Sequence, residues 1–142
     1  MDVIVVEGYQ IRPGVELDIR DEVWPMALDQ RAFGPRRLVV AFADGDARLI
    51  ALANAPRTDP PELALGPCIQ HSGLGAAAAV ALCDEPVKWG PPSADVSDRF
   101  DLARSIAADF GVRLLDWIAC DDDLYRSFRI ALYPGEEWWD LG

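Results

Sequence analysis

The chain has 142 residues, a mass of 15.6 kDa and a hydrophobic content of 51%, which is enough for one domain with a buried core. Its formal net charge is −11 and its isoelectric point is near 4.3. Such a field repels polyanions, so we expect neither direct nucleic-acid binding nor docking to an anionic membrane. A well-solvated acidic surface explains this charge, and a basic protein partner is the alternative.

The cysteines and the N-terminus indicate a reducing compartment. Cys68, Cys83 and Cys120 include no Cys-x-x-Cys pair, and the first ten residues lack the basic and then apolar layout of a signal peptide. We therefore expect a cytoplasmic protein with free thiols. The longest apolar run, residues 74–83, is about half of the ~20 residues that a membrane-spanning helix needs. It predicts a core strand.

Two hairpins are predicted in the first part of the chain. Residues 1–35 are expected to form an N-terminal extension, with strands at residues 2–7 and 15–19 followed by a short helix. Residues 38–42 and 47–53 are apolar runs on either side of Asp44-Gly45-Asp46, and Asp-Gly between such runs is typical of a hairpin. This second hairpin opens a core domain over residues 36–132.

A helix and a buried strand follow the second hairpin. The order Asp59-Pro60-Pro61-Glu62 is typical of a helix start, with Asp59 as N-cap and Glu62 reaching back to the first turn. This helix is predicted to end at Gly73. Residues 76–82 (AAAAVAL) are almost wholly apolar, which predicts a strand covered on both faces.

The remaining core is predicted as one helix and two strands. Ser93 is a good N-cap, and apolar residues recur on one helical face from Val96 to Phe110 before Gly111 ends the segment. Residues 112–120 and 125–132 predict strands joined by a solvated acidic turn. Residues 133–142 form an acidic, aromatic tail. The whole pattern predicts an α/β protein with a mixed sheet flanked by helices.

This order of elements resembles the JAB/MPN domain, in particular its RadC-like branch, over residues 36–131. Residues 74–82 are similar to the family's strand that leads into its metal motif. Residues 114–118 (LLDWI) resemble the family's LLDHIIV, and residues 125–128 (YRSF) resemble its YYSF. The resemblance implies a layered architecture similar to that of cytidine deaminases.

The family's metal motif is altered in this chain. The family holds zinc with His-x-His and, seven residues later, Ser-x-x-Asp, and an upstream Glu acts as general base. Cys83 stands at the first histidine position and Glu85 at the second, Ser93 is retained, and Asp95 follows it one residue too early. Arg36 stands near the position of the base. The loss of both histidines and of the base argues against zinc-dependent isopeptide cleavage.

Three alternatives assign a catalytic function to this junction. Residues two apart share a face of a strand, so Cys83 and Glu85 would point to the same side, and Asp95 would approach from the helix start. Together these three side chains could form the histidine-free zinc site of an atypical hydrolase. Cys83-Asp84-Glu85 matches half of the zinc deaminase signature, but no Pro-Cys-x-x-Cys follows. His71, the only histidine, could serve a Cys83 nucleophile. Otherwise Cys83 packs as a small apolar group, and no cofactor is expected.

The tryptophans supply candidate binding residues. Trp117 is expected to pack on the sheet, whereas Trp89 lies in the loop over the altered site. Trp138 and Trp139 are adjacent, so they cannot share one side of an extended tail. Because aromatic residues dominate interface hot spots, these last three are candidate contacts for a protein partner or a second copy, and the tail's alternative is to fold back on its own domain. The sequence thus predicts a non-catalytic interaction or scaffold module.

Overall fold

The computed structural model describes Ala27, residues 34–121 and residues 124–134. Three predicted parts lie outside the described residues. They are the N-terminal hairpin, the short helix predicted after it (apart from Ala27) and the tail from residue 135. The described core contains a five-stranded mixed sheet and three α-helices, so the general α/β class is confirmed.

The five strands lie in the order β2-β1-β3-β4-β5. They are β1 (Arg37–Ala43), β2 (Leu49–Pro56), β3 (Ala78–Asp84), β4 (Arg113–Asp121) and β5 (Leu124–Ser127). Strand β1 is antiparallel to β2 and β3, β3 is parallel to β4, and β4 is antiparallel to β5. The predicted β1–β2 hairpin is confirmed, and its turn is stabilised because Asp44 Oδ1 accepts hydrogen bonds from the backbone N–H groups of Asp46 and Arg48.

The helical segment after the β1–β2 hairpin differs from the helix predicted between Asp59 and Gly73. A 3₁₀ segment (Pro61–Ala64) leads into one α-helical turn, α1 (Leu65–Cys68), and a π turn (Ile69–Gly73) follows. Asp59 is not the N-cap: Pro60 holds that position and has no side-chain acceptor to cap the first turn. Glu62 does not reach back either, because its buried carboxylate pairs with Arg99.

Helix α2 (Ala94–Asp109) agrees with its predicted cap and face. Ser93 Oγ accepts a hydrogen bond from Val96 N at 3.4 Å, and Phe100, Ala103 and Ala107 are buried against the sheet. Gly111 follows the helix with a φ of 75°, a conformation that glycine adopts at little cost. None of the described helices is both long and apolar enough to cross a membrane.

The predicted strand at residues 125–132 is wrong beyond Ser127, where β5 gives way to α3 (Phe128–Leu132). The buried carboxylate of Asp116 accepts hydrogen bonds from Arg129 N at 3.0 Å and from Ser127 Oγ. Ser127 Oγ in turn accepts from Ile130 N at 3.0 Å. These acceptors satisfy the N–H groups of a first helical turn, so the chain turns into a helix there.

The described helices α1, α2 and α3 all pack on one face of the sheet. The opposite face is also buried, and Ala27 belongs to that second cluster. In β4 the register shifts by one residue between Leu114 and Asp116, which leaves Leu115 as an extra residue. Because of this bulge, Leu114 and Trp117 both face the helices although they are three residues apart.

Candidate functional site

The acidic junction predicted from the sequence lies at a real concavity. Strand β3 ends at Asp84, and residues 85–92 lead from there to α2. Between this loop, the first turns of α2, strand β4 and α3 lies a cavity of about 570 Å³, which we call the junction cavity. Trp89, Val96, Phe128 and several prolines form its apolar wall, and Glu85 and Arg99 lie at its charged floor. A cavity of this size is typical of ligand and peptide sites.

The charged floor is a closed network of ion pairs. Arg99 Nη1 and Nη2 donate hydrogen bonds to the two carboxylate oxygens of Glu85 at 2.6 and 2.8 Å. Arg99 Nε donates to Glu62 Oε1, whose side chain is 1% exposed. Trp117 Nε1 donates to Glu85 Oε2 at 3.0 Å. The carboxylate of Glu85 is therefore directed at protein donors.

The Arg99–Glu85 pair keeps both of its members ionised. Burial alone would raise the pKa of Glu85, but the hydrogen bonds and charge of Arg99, together with the Trp117 bond, outweigh it and lower that pKa. Burial alone would lower the pKa of Arg99, and the two carboxylates raise it instead. The guanidinium also lies 5.0 Å from the ring centroid of Phe128 and 5.8 Å from that of Trp117. Both groups of the pair are therefore held in their charged forms near neutral pH, whereas the best general acids and bases have a pKa close to the working pH.

Cys83 and Glu85 point to the same side of the strand, as the sequence predicts. Cys83 is fully buried in the helix-side core. Burial, followed by the negative charge of Glu85, raises the pKa of the Cys83 thiol. Asp84 faces the other way, where its Oδ2 accepts a hydrogen bond from Arg36 N at 2.5 Å. Arg36 thus lies beside Asp84 and does not line the cavity.

The cavity gathers three of the residues predicted for the altered metal site, Glu85, Ser93 and Asp95, together with the candidate contact residue Trp89. Ser93 caps α2, and Asp95 is exposed in its first turn. Cys83 lies in the core and does not line the cavity. Within residues 34–121 and 124–134, no three His, Cys, Asp or Glu side chains are grouped so that they could hold a metal ion.

Two residues of the floor were not predicted from the sequence. The sequence pattern assigns Glu62 to a capping box, and it assigns no role to Arg99. They lie 37 positions apart in the sequence, and no local pattern links them. The sequence offers one weak signal for this pair. Glu62 is a carboxylate near the start of one helical segment, and Arg99 is a cation in the second turn of another.

A second concavity adjoins the first. This groove has a volume of about 500 Å³ and is lined by Trp89, Leu124, Tyr125, Arg126, Ile130 and Ala131, among others. We call it the Trp89 groove. The side chains of Trp89, Leu124 and Ile130 are 65%, 49% and 48% exposed. Such exposure is unusual for large apolar residues that converge on one spot.

Arg126 holds the loop that carries Trp89. Its guanidinium donates hydrogen bonds to the carbonyl oxygens of Lys88 and Gly90, the residues on either side of the tryptophan. Trp89 and Arg126 line both concavities, so the loop forms the partition between them. The other two tryptophan candidates, Trp138 and Trp139, lie outside the described residues.

The other thiols and the histidine occupy separate places. Cys68 and Cys120 are buried, and burial is the main factor that raises the pKa of each to about 12. His71 is exposed on the π turn, whereas Cys83 is fully buried in β3. A thiol with a raised pKa is protonated at neutral pH and is a poor nucleophile.

Comparison of the sequence with models of known protein families gave no match, and comparison with curated proteins gave none either.

Proposed function

We propose that the chain is a JAB/MPN-like domain of the RadC-like branch that has given up metal-dependent hydrolysis and serves as a protein-interaction module. The observation that carries this proposal is the Arg99–Glu85 pair. Glu85 stands where the resemblance places a metal ligand, and both of its oxygens accept hydrogen bonds from a guanidinium. The buried β3, the acidic junction and α2 follow one another in the order that the resemblance implies.

A metal ion at this position would have to displace Arg99. That would break the two charge-assisted hydrogen bonds between Arg99 and Glu85. The Arg99 side chain, which is 21% exposed, would then keep only one of its two carboxylate partners. The protonated Cys83 thiol would also have to lose its proton to become a ligand, against the raised pKa. Both costs favour a structural role for the junction over a catalytic one.

The binding half of the proposal rests on the Trp89 groove. Its exposed apolar side chains, including an indole, are of the kind that forms interface hot spots, and Arg126 holds the loop in place before a partner arrives. A rigid aromatic anchor loses little conformational entropy on binding. The groove is therefore the surface that we assign to a protein partner.

Affinity capture followed by titration of the purified candidate partner tests this function. We expect the partner to bind the wild-type chain and to lose at least about tenfold in affinity with Trp89→Ala, as hot-spot truncations do. Leu102→Ala is the matched control, because Leu102 is also exposed but lies on α2 outside the groove. The interaction function is refuted if both variants bind every candidate as wild type does.

The second candidate is the atypical hydrolase with Cys83, Glu85 and Asp95, which the presence of Glu85 and Asp95 around one cavity favours. Zinc content measured after reconstitution separates the two. We expect no stoichiometric zinc. One equivalent of zinc in the wild type and none in Cys83→Ser would favour the hydrolase instead.

A further inference from the structure

The negative charge of the chain is distributed unevenly. The described residues contain twelve carboxylates and ten cationic side chains, so their formal charge is only −2 of the chain's −11. The C-terminal tail, residues 135–142, reads GEEWWDLG. It carries Glu136, Glu137 and Asp140, no cation, and the adjacent indoles of Trp138 and Trp139. The tail is therefore both strongly acidic and strongly aromatic.

The Trp89 groove has the opposite charge and the same apolar character. Arg126 lines it, and among the described residues its guanidinium is hydrogen-bonded to carbonyl oxygens and to no carboxylate. Lys88, the only lysine of the chain, is exposed beside Trp89 and has no ion pair with any described residue. Arg126 is thus the cation in the lining of the groove, and Lys88 is a second cation in the loop beside it. Neither forms a salt bridge with a described residue, and both lie next to exposed apolar side chains.

The tail begins beside this groove. Ile130 and Ala131 of α3 line the groove, and Pro134, the last described residue, follows only three positions later. An extended chain spans about 3.3 to 3.6 Å per residue, so Trp138 can lie up to about 14 Å from Pro134. No long linker has to be ordered to bring an indole back to α3.

We propose that the C-terminal tail, residues 135–142, occupies the Trp89 groove of its own chain. An indole of the Trp138-Trp139 pair packs against Trp89 and Ile130, and the tail carboxylates lie near Lys88 and Arg126. Attachment in the same chain is favoured over a second copy because a short tether gives an effective concentration in the millimolar range. This inference concerns the free chain and does not require a partner.

Zero-length carbodiimide cross-linking of the full chain tests the proposal, because Lys88 is the only lysine. We expect amide links between Lys88 and Glu136, Glu137 or Asp140, identified by peptide mass spectrometry. In the variant Trp138→Ala/Trp139→Ala the yield should fall at least about tenfold, since the apolar contacts that hold the tail are gone. An equimolar mixture of ¹⁵N-labelled and unlabelled chains should give links within one isotopic species only.

Two further variants provide controls. Ile130→Ala removes an exposed side chain of the groove and should lower the yield, whereas Leu102→Ala, outside the groove, should not. Both positions are exposed, so the core is left intact, and circular dichroism verifies folding. Links from Lys88 to Asp95 but not to the tail, a yield that does not change in the tryptophan variant, or mixed-isotope links would each overturn the proposal.

One consequence rests on the function proposed above. If a partner binds the groove, it must displace the tail, so Trp138→Ala/Trp139→Ala should bind that partner more tightly than wild type does. Cross-linking needs no partner, and the Trp89→Ala titration needs no tail contact. Failure of one experiment is therefore distinguishable from failure of the other.

Discussion

Arg99 and Glu85 face each other at the floor of the junction cavity through two parallel hydrogen bonds of 2.6 and 2.8 Å. The pair joins α2 to the loop that follows β3, and Glu62 and Trp117 complete it from two other elements. Four segments of the chain thus meet at one guanidinium–carboxylate pair. The ion pair takes the place where the resemblance implies a metal site.

Removal of one partner of this pair should be costly. We expect Arg99→Met to lower the free energy of unfolding by about 3 kcal/mol, because Glu62 and Glu85 would remain buried without their counter-charge. Urea denaturation followed by circular dichroism measures this. The double variant Glu85→Gln/Arg99→Met should lose less than the two single variants combined. Strictly additive losses would show that the pair is not coupled.

The lowered pKa of Glu85 should make stability depend on acid pH. A carboxyl group with a lower pKa in the folded state contributes its full stabilisation above the unfolded value of about 4.3, and this stabilisation is lost as the pH falls through the folded pKa. We therefore expect the stability difference between wild type and Glu85→Gln to shrink as the pH is lowered from 6 to about 3. Urea titrations at each pH measure it, and a constant difference would contradict the shift.

The three thiols should be unreactive in the folded protein. Burial raises the pKa of Cys68 and Cys120 to about 12 and raises that of Cys83 as well, so little thiolate is present at pH 8. We expect Ellman's reagent to label none of them within minutes under native conditions. In about 8 M urea, where the chain is unfolded, it should label all three. Cys83→Ser identifies its share of the signal. Rapid labelling of one native thiol would indicate an accessible thiolate.

Asp116 should be a strong determinant of stability although it has no part in the cavity. Its fully buried carboxylate accepts hydrogen bonds from Trp117 N at 2.7 Å, from Arg129 N at 3.0 Å and from Ser127 Oγ. We expect Asp116→Ala to cost about 2 to 4 kcal/mol in unfolding free energy, because these donors lose their acceptor. Asp98→Ala, at an exposed position of α2, should change stability by less than about 0.5 kcal/mol. Equal effects would contradict this role.

Gly73 should not tolerate a side chain. A Cβ atom at this position would lie 2.6 Å from Phe42 Cζ, and Phe42 is fully buried, so its ring has no room to move away. We expect Gly73→Ala to lower the melting temperature and to cost about 1 to 3 kcal/mol. Gly45→Ala is the control, because a Cβ there meets no atom within 4 Å. Wild-type stability of Gly73→Ala would show that the π turn can shift away from β1.

The correct predictions from the sequence depend on contacts between near neighbours in the chain. Asp44 accepts hydrogen bonds from residues two and four positions later, and Ser93 accepts from a residue three positions later. Such contacts require only the local order of residues, so turn and cap chemistry predict them. The buried strand β3 is likewise recognisable from its apolar composition alone, although its bounds lie two residues later than predicted.

The wrong predictions have distant partners in common. The capping role of Glu62 fails because Arg99, 37 residues away, binds its carboxylate. The strand after Ser127 fails because Asp116 on β4 supplies acceptors for a helix start. In both cases a buried carboxylate, that of Glu62 or of Asp116, binds donors that are distant in the sequence. A buried carboxylate needs such donors, and local sequence patterns do not identify them.

The sequence by itself determined the β1–β2 hairpin, the buried β3, the cap and buried face of α2, and the absence of histidine from the junction, because each depends only on residue type and short spacing. Only the tertiary structure decided that Glu85 faces Arg99 across the cavity, and that the bulge at Leu115 turns Trp117 towards this pair. Periodicity assigns a side chain to one of two faces, but a one-residue shift of register exchanges the faces, and this shift depends on packing between strands.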